Sequence, residues 1–114
     1  MPKKISLALL PVLLLALLLA ADAVAREGTH LLFGTVSCDG QPVVGAQVTV
    51  TGLSSYASRS VLTDSRGIYM AGKLPTDEYL IQVVGPELGV FLPARSNIFV
   101  RKDRNELNFK LKRR

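Results

Sequence analysis

This 114-residue sequence has no tryptophan and one cysteine and one histidine, Cys38 and His30. One cysteine excludes an internal disulfide. One histidine excludes a histidine-built metal centre, and Cys38 lies too far along an outgoing strand to form a local Cys/His dyad with His30. No glycine-rich phosphate loop or nucleophile elbow is present. Ser54, Ser55, Ser58 and Ser60 have no base nearby in the sequence to activate them. Asp64 and the Asp77–Glu78 pair are the turn carboxylates worth weighing for calcium. Such a site needs several oxygen ligands in one loop, and Arg66 puts a cation beside Asp64. The residues therefore nominate no catalytic, cofactor-binding or metal-ligating position, and the expectation is a protein that is not an enzyme and carries no cofactor.

Helical periodicity is also missing beyond Ala25. Before it, Lys3 and Lys4 precede a Leu/Ala-rich apolar run from Ile5 to Ala20, with Pro11 inside it. The run is shorter than the ~20 residues a membrane span needs. Ala23–Val24–Ala25 then gives the small-x-small pattern that signal peptidase accepts. Residues 1–25 are read as a cleavable signal peptide, with Ala21–Asp22–Ala23 as an alternative cut. Residues 26–114 are read as one secreted or periplasmic domain, long enough for a single modest core. The Thr35–Val36–Ser37–Cys38 stretch does not suit lipid attachment, because it lies well past the apolar run and has Thr where a larger aliphatic is needed. Cys38 is expected to be a small, half-buried residue, with an intermolecular disulfide as the alternative.

The whole chain carries 14 Lys and Arg against 9 Asp and Glu, a net charge of +5. Loss of Lys3, Lys4 and Asp22 with the leader leaves a mature excess of four positive charges. The excess sits late in the chain, in Arg95, Arg101, Lys102, Arg104, Lys110, Lys112, Arg113 and Arg114. Its plainer reading is protection of a terminal strand edge, where lysines discourage pairing with other chains. Its sharper reading is a weak contact with an anionic polymer, anionic lipid or acidic protein. Nucleic acid does not fit an exported chain with so few aromatic rings to stack on bases.

What the mature region does contain is short runs rich in Val, Ile, Thr, Tyr and Phe, broken by Gly, Pro, Asp and Asn. This spacing predicts an all-β, seven-stranded antiparallel sandwich. The first strand spans His30 to Ser37, with Leu32, Gly34 and Val36 on one face, and Asp39–Gly40 ends it in a tight turn. In Ala46 to Leu53, Ala46, Val48 and Val50 alternate with Gln47, Thr49 and Thr51, so one side meets the core and the other water. Ala57–Thr63 and Ile68–Gly72 flank a turn at Asp64–Ser65–Arg66–Gly67, where Asp and Ser oxygens bond the backbone and Gly supplies positive φ. Tyr79–Val84 follows a second turn over Leu74–Glu78. Gly85–Ser96 reads as the longest loop, with Phe91 and Leu92 tucked against a sheet end. Asn97–Arg101 and Glu106–Lys112 are expected to close the fold as a terminal hairpin, with Leu107, Phe109 and Leu111 facing inward.

In order along the chain stand Leu32-x-Gly34-x-Val36, Gly45-Ala46-x-Val48-x-Val50, Thr63-Asp64-x-x-Gly67-x-Tyr69, Leu74-Pro75 and Tyr79-x-Ile81-x-Val83. This pattern resembles the carboxypeptidase regulatory-like domain, one of the transthyretin (prealbumin)-like β-sandwiches. The resemblance covers nearly all the mature chain. Asp77 stands where that family usually has Gly before the aromatic of the fifth strand, and an Asp there is expected to accept a left-handed turn. The resemblance implies an accessory or structural module rather than a catalyst. Hydroxyisourate hydrolase, the enzyme of the wider group, relies on several histidines, an arginine and a terminal Tyr-Arg-Gly-Ser motif. This chain instead has His30 alone and ends Lys110–Leu111–Lys112–Arg113–Arg114. The expected function is an exported interaction module that acts through contacts with an envelope or extracellular protein. The alternative is a carbohydrate- or cell-wall-polymer-binding module, for which Tyr56 and Phe91 are the only candidate aromatic platforms.

Overall fold

The structure is a computed structural model that describes residues 28–114. The leader and its cleavage motif lie outside the described residues. Nine strands form among the described residues, and no helix does. They are β1 (His30–Cys38), β2 (Gln41–Pro42), β3 (Gln47–Gly52), β4 (Ser58–Leu62), β5 (Ile68–Leu74), β6 (Asp77–Val84), β7 (Ala94–Val100), β8 (Arg104–Glu106) and β9 (Phe109–Lys110). One sheet, in the order β4-β3-β6-β7, is antiparallel throughout. The other is built on β1, which pairs antiparallel with β2 and β5, and parallel with β8 and β9.

The alternation read from the sequence is what buries the core. Leu32 and Val36 of β1, Val48 and Val50 of β3, and Tyr79, Ile81 and Val83 of β6 are fully buried between the sheets. Ala46 and Tyr69 complete this layer, and Phe109 packs its ring 6.4 Å from that of Tyr69. Tyr69 and Tyr79 place apolar rings in the core and send their hydroxyls outward to carbonyls, Tyr69 to Leu107 and Tyr79 to Pro75 at 2.6 Å. Their polar ends are thereby satisfied, as buried phenols require. Burial pushes both phenol pKa values up, and for Tyr69 the Glu106 charge adds to it.

The turn at Asp64 is local hydrogen bonding made permanent. Asp64 Oδ1 accepts from the N–H groups of Arg66 and Ile68, both at 2.9 Å, and its carbonyl accepts from Gly67 N–H at 2.9 Å. Those two donors, Ile68 before Arg66, hold the carboxyl below its ordinary pKa. Gly67 takes φ +74°, and a Cβ there would lie 2.6 Å from the Val36 carbonyl oxygen. Asp39 and Gly40 both take positive φ in the tight turn joining β1 to β2.

The end of the chain departs from the expected hairpin. β7 starts at Ala94, three residues early, and stays in the four-stranded sheet beside β6. The chain then crosses at Arg101–Asp103 and runs parallel to β1 as β8 and β9. Of the expected turn Lys102–Asp103–Arg104–Asn105, the first two residues therefore join the two sheets and the last two already lie in β8. The inward alternation of Leu107, Phe109 and Leu111 survives, because facing the core depends on the side-chain period and not on which strand is the neighbour. The interruption between β8 and β9 is filled by Asn108, whose Oδ1 accepts the Thr35 N–H at 2.9 Å. Gly34 permits the close pass, since a Cβ on it would collide with the Leu107 carbonyl.

Candidate functional site

The four-stranded sheet gives the sandwich two distinct ends. Gln47 pairs with Val84 at one, and Gly52 pairs with Tyr79 at the other. Phe91 belongs to the first end and Tyr56 to the second, so the two aromatic candidates cannot form one platform.

At the first end, a cleft of about 350 Å³ is lined by residues including Pro42, Val43, Val44, Pro86, Phe91 and Arg113. Phe91 packs on the core, and the Arg113 guanidinium lies 5.5 Å from its ring centre. Leu92 is 41 % exposed, so only the first of the two tucks in as expected. The segment holding Phe91 is tied down by Leu92 N–H to the Lys112 carbonyl at 2.8 Å and Arg114 N–H to that of Val90 at 3.0 Å. Its ring is thus structural filling, with one face covered by a cation. Cys38 also lines this cleft, buried and free, its Sγ 3.7 Å from Asp39 Oδ2.

At the second end the arrangement is reversed. Tyr56 is 80 % exposed, and its backbone sits at φ +58°. A left-handed tyrosine is a sterically poor choice that persists only where the surroundings over-determine it. Here the surroundings are the Asp77 carboxylate, the only buried acid among the described residues, which is 6 % exposed. Its Oδ2 accepts the Ser54 N–H at 3.0 Å, the Ser55 N–H at 2.8 Å and the Ser55 hydroxyl at 2.9 Å, and its Oδ1 accepts the Glu78 N–H at 2.7 Å. The same Ser55 hydroxyl receives the Ala57 N–H at 3.2 Å, and Gly52 N–H closes the loop onto the Ala57 carbonyl at 2.7 Å. Burial alone would raise the Asp77 pKa, but these donors outweigh it and hold the carboxyl down to about 2. The loop Leu53–Ala57 is therefore a fixed support that presents one aromatic ring to solvent.

Asp77 was expected to take a left-handed turn in place of a family glycine. It instead opens β6 in a buried position, and Lys73 carries positive φ nearby, at 59°. The sequence signal for its role was partial: an Asp opening an alternating strand is a ready acceptor, and two serines stand in a loop between strands. Pairing the two across 23 residues requires the register of β3 with β6, which composition does not give.

The remaining polar positions disperse. His30 was expected to be solvated, yet it is half-buried at the start of β1, its Nε2 2.8 Å from Thr76 Oγ1 and its Nδ1 without a partner among the described residues. Among the described residues, no three His, Cys, Asp or Glu side chains come together in a group suited to a metal ion. Ser58 and Ser60 line the outer face of β4, and Ser54 and Ser55 serve Asp77. The late basic residues do not form one patch. Arg101 and Arg104 stack on Phe99 and Phe33, each at 5.2 Å, while Lys110 and Lys112 stand exposed at the edge of the other sheet. Arg95 lies on the open face of the four-stranded sheet, in one transverse row with Ser60, Thr49 and Gln82. A shallow depression of about 380 Å³ is lined by Thr49, Gln82 and Arg95 with Pro93 and Ala94.

The model of the carboxypeptidase regulatory-like domain matches residues 32–112. The chain belongs to that family. No curated protein matches the sequence significantly. Among solved structures, a proposed carbohydrate-binding protein from Pseudomonas aeruginosa superposes with a TM-score of 0.58 at 12 % identity, over 79 % of this chain and 93 % of that one. A proposed carbohydrate-binding protein from Bacteroides uniformis gives 0.58 at 17 % identity, over 74 % of this chain and 41 % of that one. The 5-hydroxyisourate hydrolase of Klebsiella pneumoniae gives 0.56 at 18 % identity, over 75 % and 96 %. At these identities the likeness establishes the transthyretin-like sandwich fold and nothing finer.

Proposed function

We propose that this member of the carboxypeptidase regulatory-like family is an exported, non-catalytic binding module that docks an envelope or extracellular protein through Tyr56. One observation supports the reading above the others: an 80 % exposed tyrosine held in a left-handed backbone by a buried carboxylate. Tyrosine is enriched among residues that dominate interfaces, and an anchor already fixed in place loses little entropy on binding. Among the described residues nothing in the core or the turns uses this ring, so stability does not account for it.

A photo-crosslinking residue placed at position 56, in cells that carry the native envelope, tests the proposal. A discrete protein adduct at position 56, absent from the same probe at Ser60, is the expected result. Adducts equally diffuse at both positions would defeat it.

A second reading, a carbohydrate-binding module, draws on the uncharged hydroxyl and amide row Ser60–Thr49–Gln82 on the open sheet face and on the two neighbours described as proposed carbohydrate binders. Its test is a glycan array in which Gln82→Ala removes the signal and Tyr56→Ala does not.

A further inference from the structure

The two free edges of the four-stranded sheet are treated differently. At β4, Arg59 crosses the Ser58 end of the edge: its guanidinium donates to the Ser58 carbonyl at 3.0 Å and reaches the Lys73 carbonyl of the facing sheet at 3.4 Å. A cation laid across a strand edge is a standard obstacle to further pairing. Among the described residues, no side chain bonds across the β7 edge in this way. β7 runs seven residues, Ala94 to Val100, and among the described residues it pairs only with β6.

Which groups face that open edge follows from the ladder. Gly52 N–H bonds the Ala57 carbonyl and Leu53 N–H bonds that of Glu78 at 2.9 Å, so even residues of β3 bond β4 and odd ones bond β6. The even residues of β6 then face β3, and its odd residues face β7. Through the pairs Tyr79–Ile98 and Ile81–Ser96, the even residues of β7 are the ones bonded to β6. The N–H and C=O groups of Arg95, Asn97 and Phe99 are left pointing away from the sheet. Among the described residues none of these groups has a hydrogen-bond partner.

We propose that β7 is a homodimer edge, pairing antiparallel with β7 of a second copy about a two-fold axis at Asn97. The open groups and the side chains beside them select this register, since a shift toward Val100 would set Arg95 against Arg101 of the second copy. Centred on Asn97, each Arg95 falls opposite Phe99 of the second copy, and all three outward residues of each chain are used, giving six backbone hydrogen bonds. A shift by two residues toward Arg95 leaves Phe99 opposite Pro93, which has no N–H to give. A larger shift in that direction sets the two Arg95 side chains against each other. The side chains of the central register are also complementary. Arg95, Asn97 and Phe99 all lie exposed on the outer face, Phe99 by 53 %, so the face of each ring that its own Arg101 does not cover meets the Arg95 guanidinium of the second copy, twice by symmetry. A second copy fits better than an unrelated strand because this complementarity is between residues of one sequence, as an isologous contact demands.

The test uses the exported protein recovered after expression of the full sequence. Sedimentation velocity across a concentration series reads out the association. The wild type is expected to approach the mass of two chains. Asn97→Lys sets two ammonium groups together at the axis, and its exposed position keeps the domain folded, which the thermal melt checks. It is expected to weaken association by ~10-fold or more. Mixing Asn97→Lys with Asn97→Asp should restore a dimer that neither forms as well alone. Asn97→Cys should give a disulfide-linked dimer on mild oxidation, since directly opposed residues lie ~5.5 Å apart, within disulfide reach, whereas Ser60→Cys on the guarded edge should not. A wild type that stays monomeric throughout the series overturns the proposal, as does a dimer indifferent to Asn97→Lys.

Discussion

Asp77 Oδ2 takes both the backbone N–H and the hydroxyl of Ser55, at 2.8 and 2.9 Å, and so fixes a loop from beneath while the ring of the next residue stays in water. Replacing the carboxylate with Ala leaves the Ser54 and Ser55 N–H groups without their acceptor in a partly buried site. An unmet buried donor costs about 1–3 kcal/mol. Asp77→Ala is expected to lower the melting temperature by several degrees and to open the loop, so that chymotrypsin cuts after Tyr56 where the wild type resists. Equal cleavage of both proteins would show that Asp77 does not hold the loop.

The same carboxylate sets an acid limb of stability. Its folded pKa, about 2, lies below the ordinary 3.8, so its stabilising effect is complete above pH ~4 and is lost as pH falls toward 2. Asp64, held below its ordinary value by the Ile68 and Arg66 N–H groups, acts with the same sign. Thermal melts from pH 7 to pH 2 should show the wild type losing stability over this window, and Asp77→Asn should flatten the slope. An identical slope in the variant would assign the acid limb to other groups.

Gly67 and Gly40 separate two costs that a glycine substitution can carry. Both have positive φ, +74° and +79°. At Gly40 a Cβ would meet nothing within 4 Å, whereas at Gly67 it would also collide with the Val36 carbonyl and Pro42. Gly40→Ala should cost about 1–2 kcal/mol for the left-handed backbone alone. Gly67→Val should leave too little stability for folding, because a β-branched residue resists positive φ and the neighbouring backbone cannot move aside. Circular dichroism at 25 °C decides it, since a folded Gly67→Val protein is not compatible with this turn.

The sequence carried the sandwich further than it carried the site. Alternation at Ala46, Val48 and Val50 and at Tyr79, Ile81 and Val83 identifies a buried face from side-chain period alone, and all six residues are fully buried. The placement of β8 and β9 was not legible, because a strand that leaves one sheet for the other has the same alternation as one that turns back in a hairpin. Tyr56 was noted only as one of two aromatic candidates. Its importance comes from its backbone angle and from Asp77, and both depend on contacts between strands that local sequence does not specify. Phe91 had the same standing in the sequence, and it proves to be packed beneath Arg113.

Tyr56 should also reveal a conflict between stability and purpose. A left-handed backbone costs a tyrosine ~1–2 kcal/mol relative to its preferred regions. Glycine escapes that cost, although its greater freedom in the unfolded chain returns about 0.5–1 kcal/mol of it. Tyr56→Gly is therefore expected to stabilise the domain, by a few tenths to about 1 kcal/mol, while abolishing the partner adduct formed by a crosslinking residue at the neighbouring exposed Leu53. The ring covers no core, being 80 % exposed, so its removal forfeits little packing. Residues that raise stability when removed yet are required for binding belong to sites under functional strain. Chemical denaturation of the two proteins, read as a shift in midpoint at constant slope, measures the first effect. A Tyr56→Gly protein less stable than the wild type would mean that the ring supports the fold, and the docking role assigned to it would lose its physical basis.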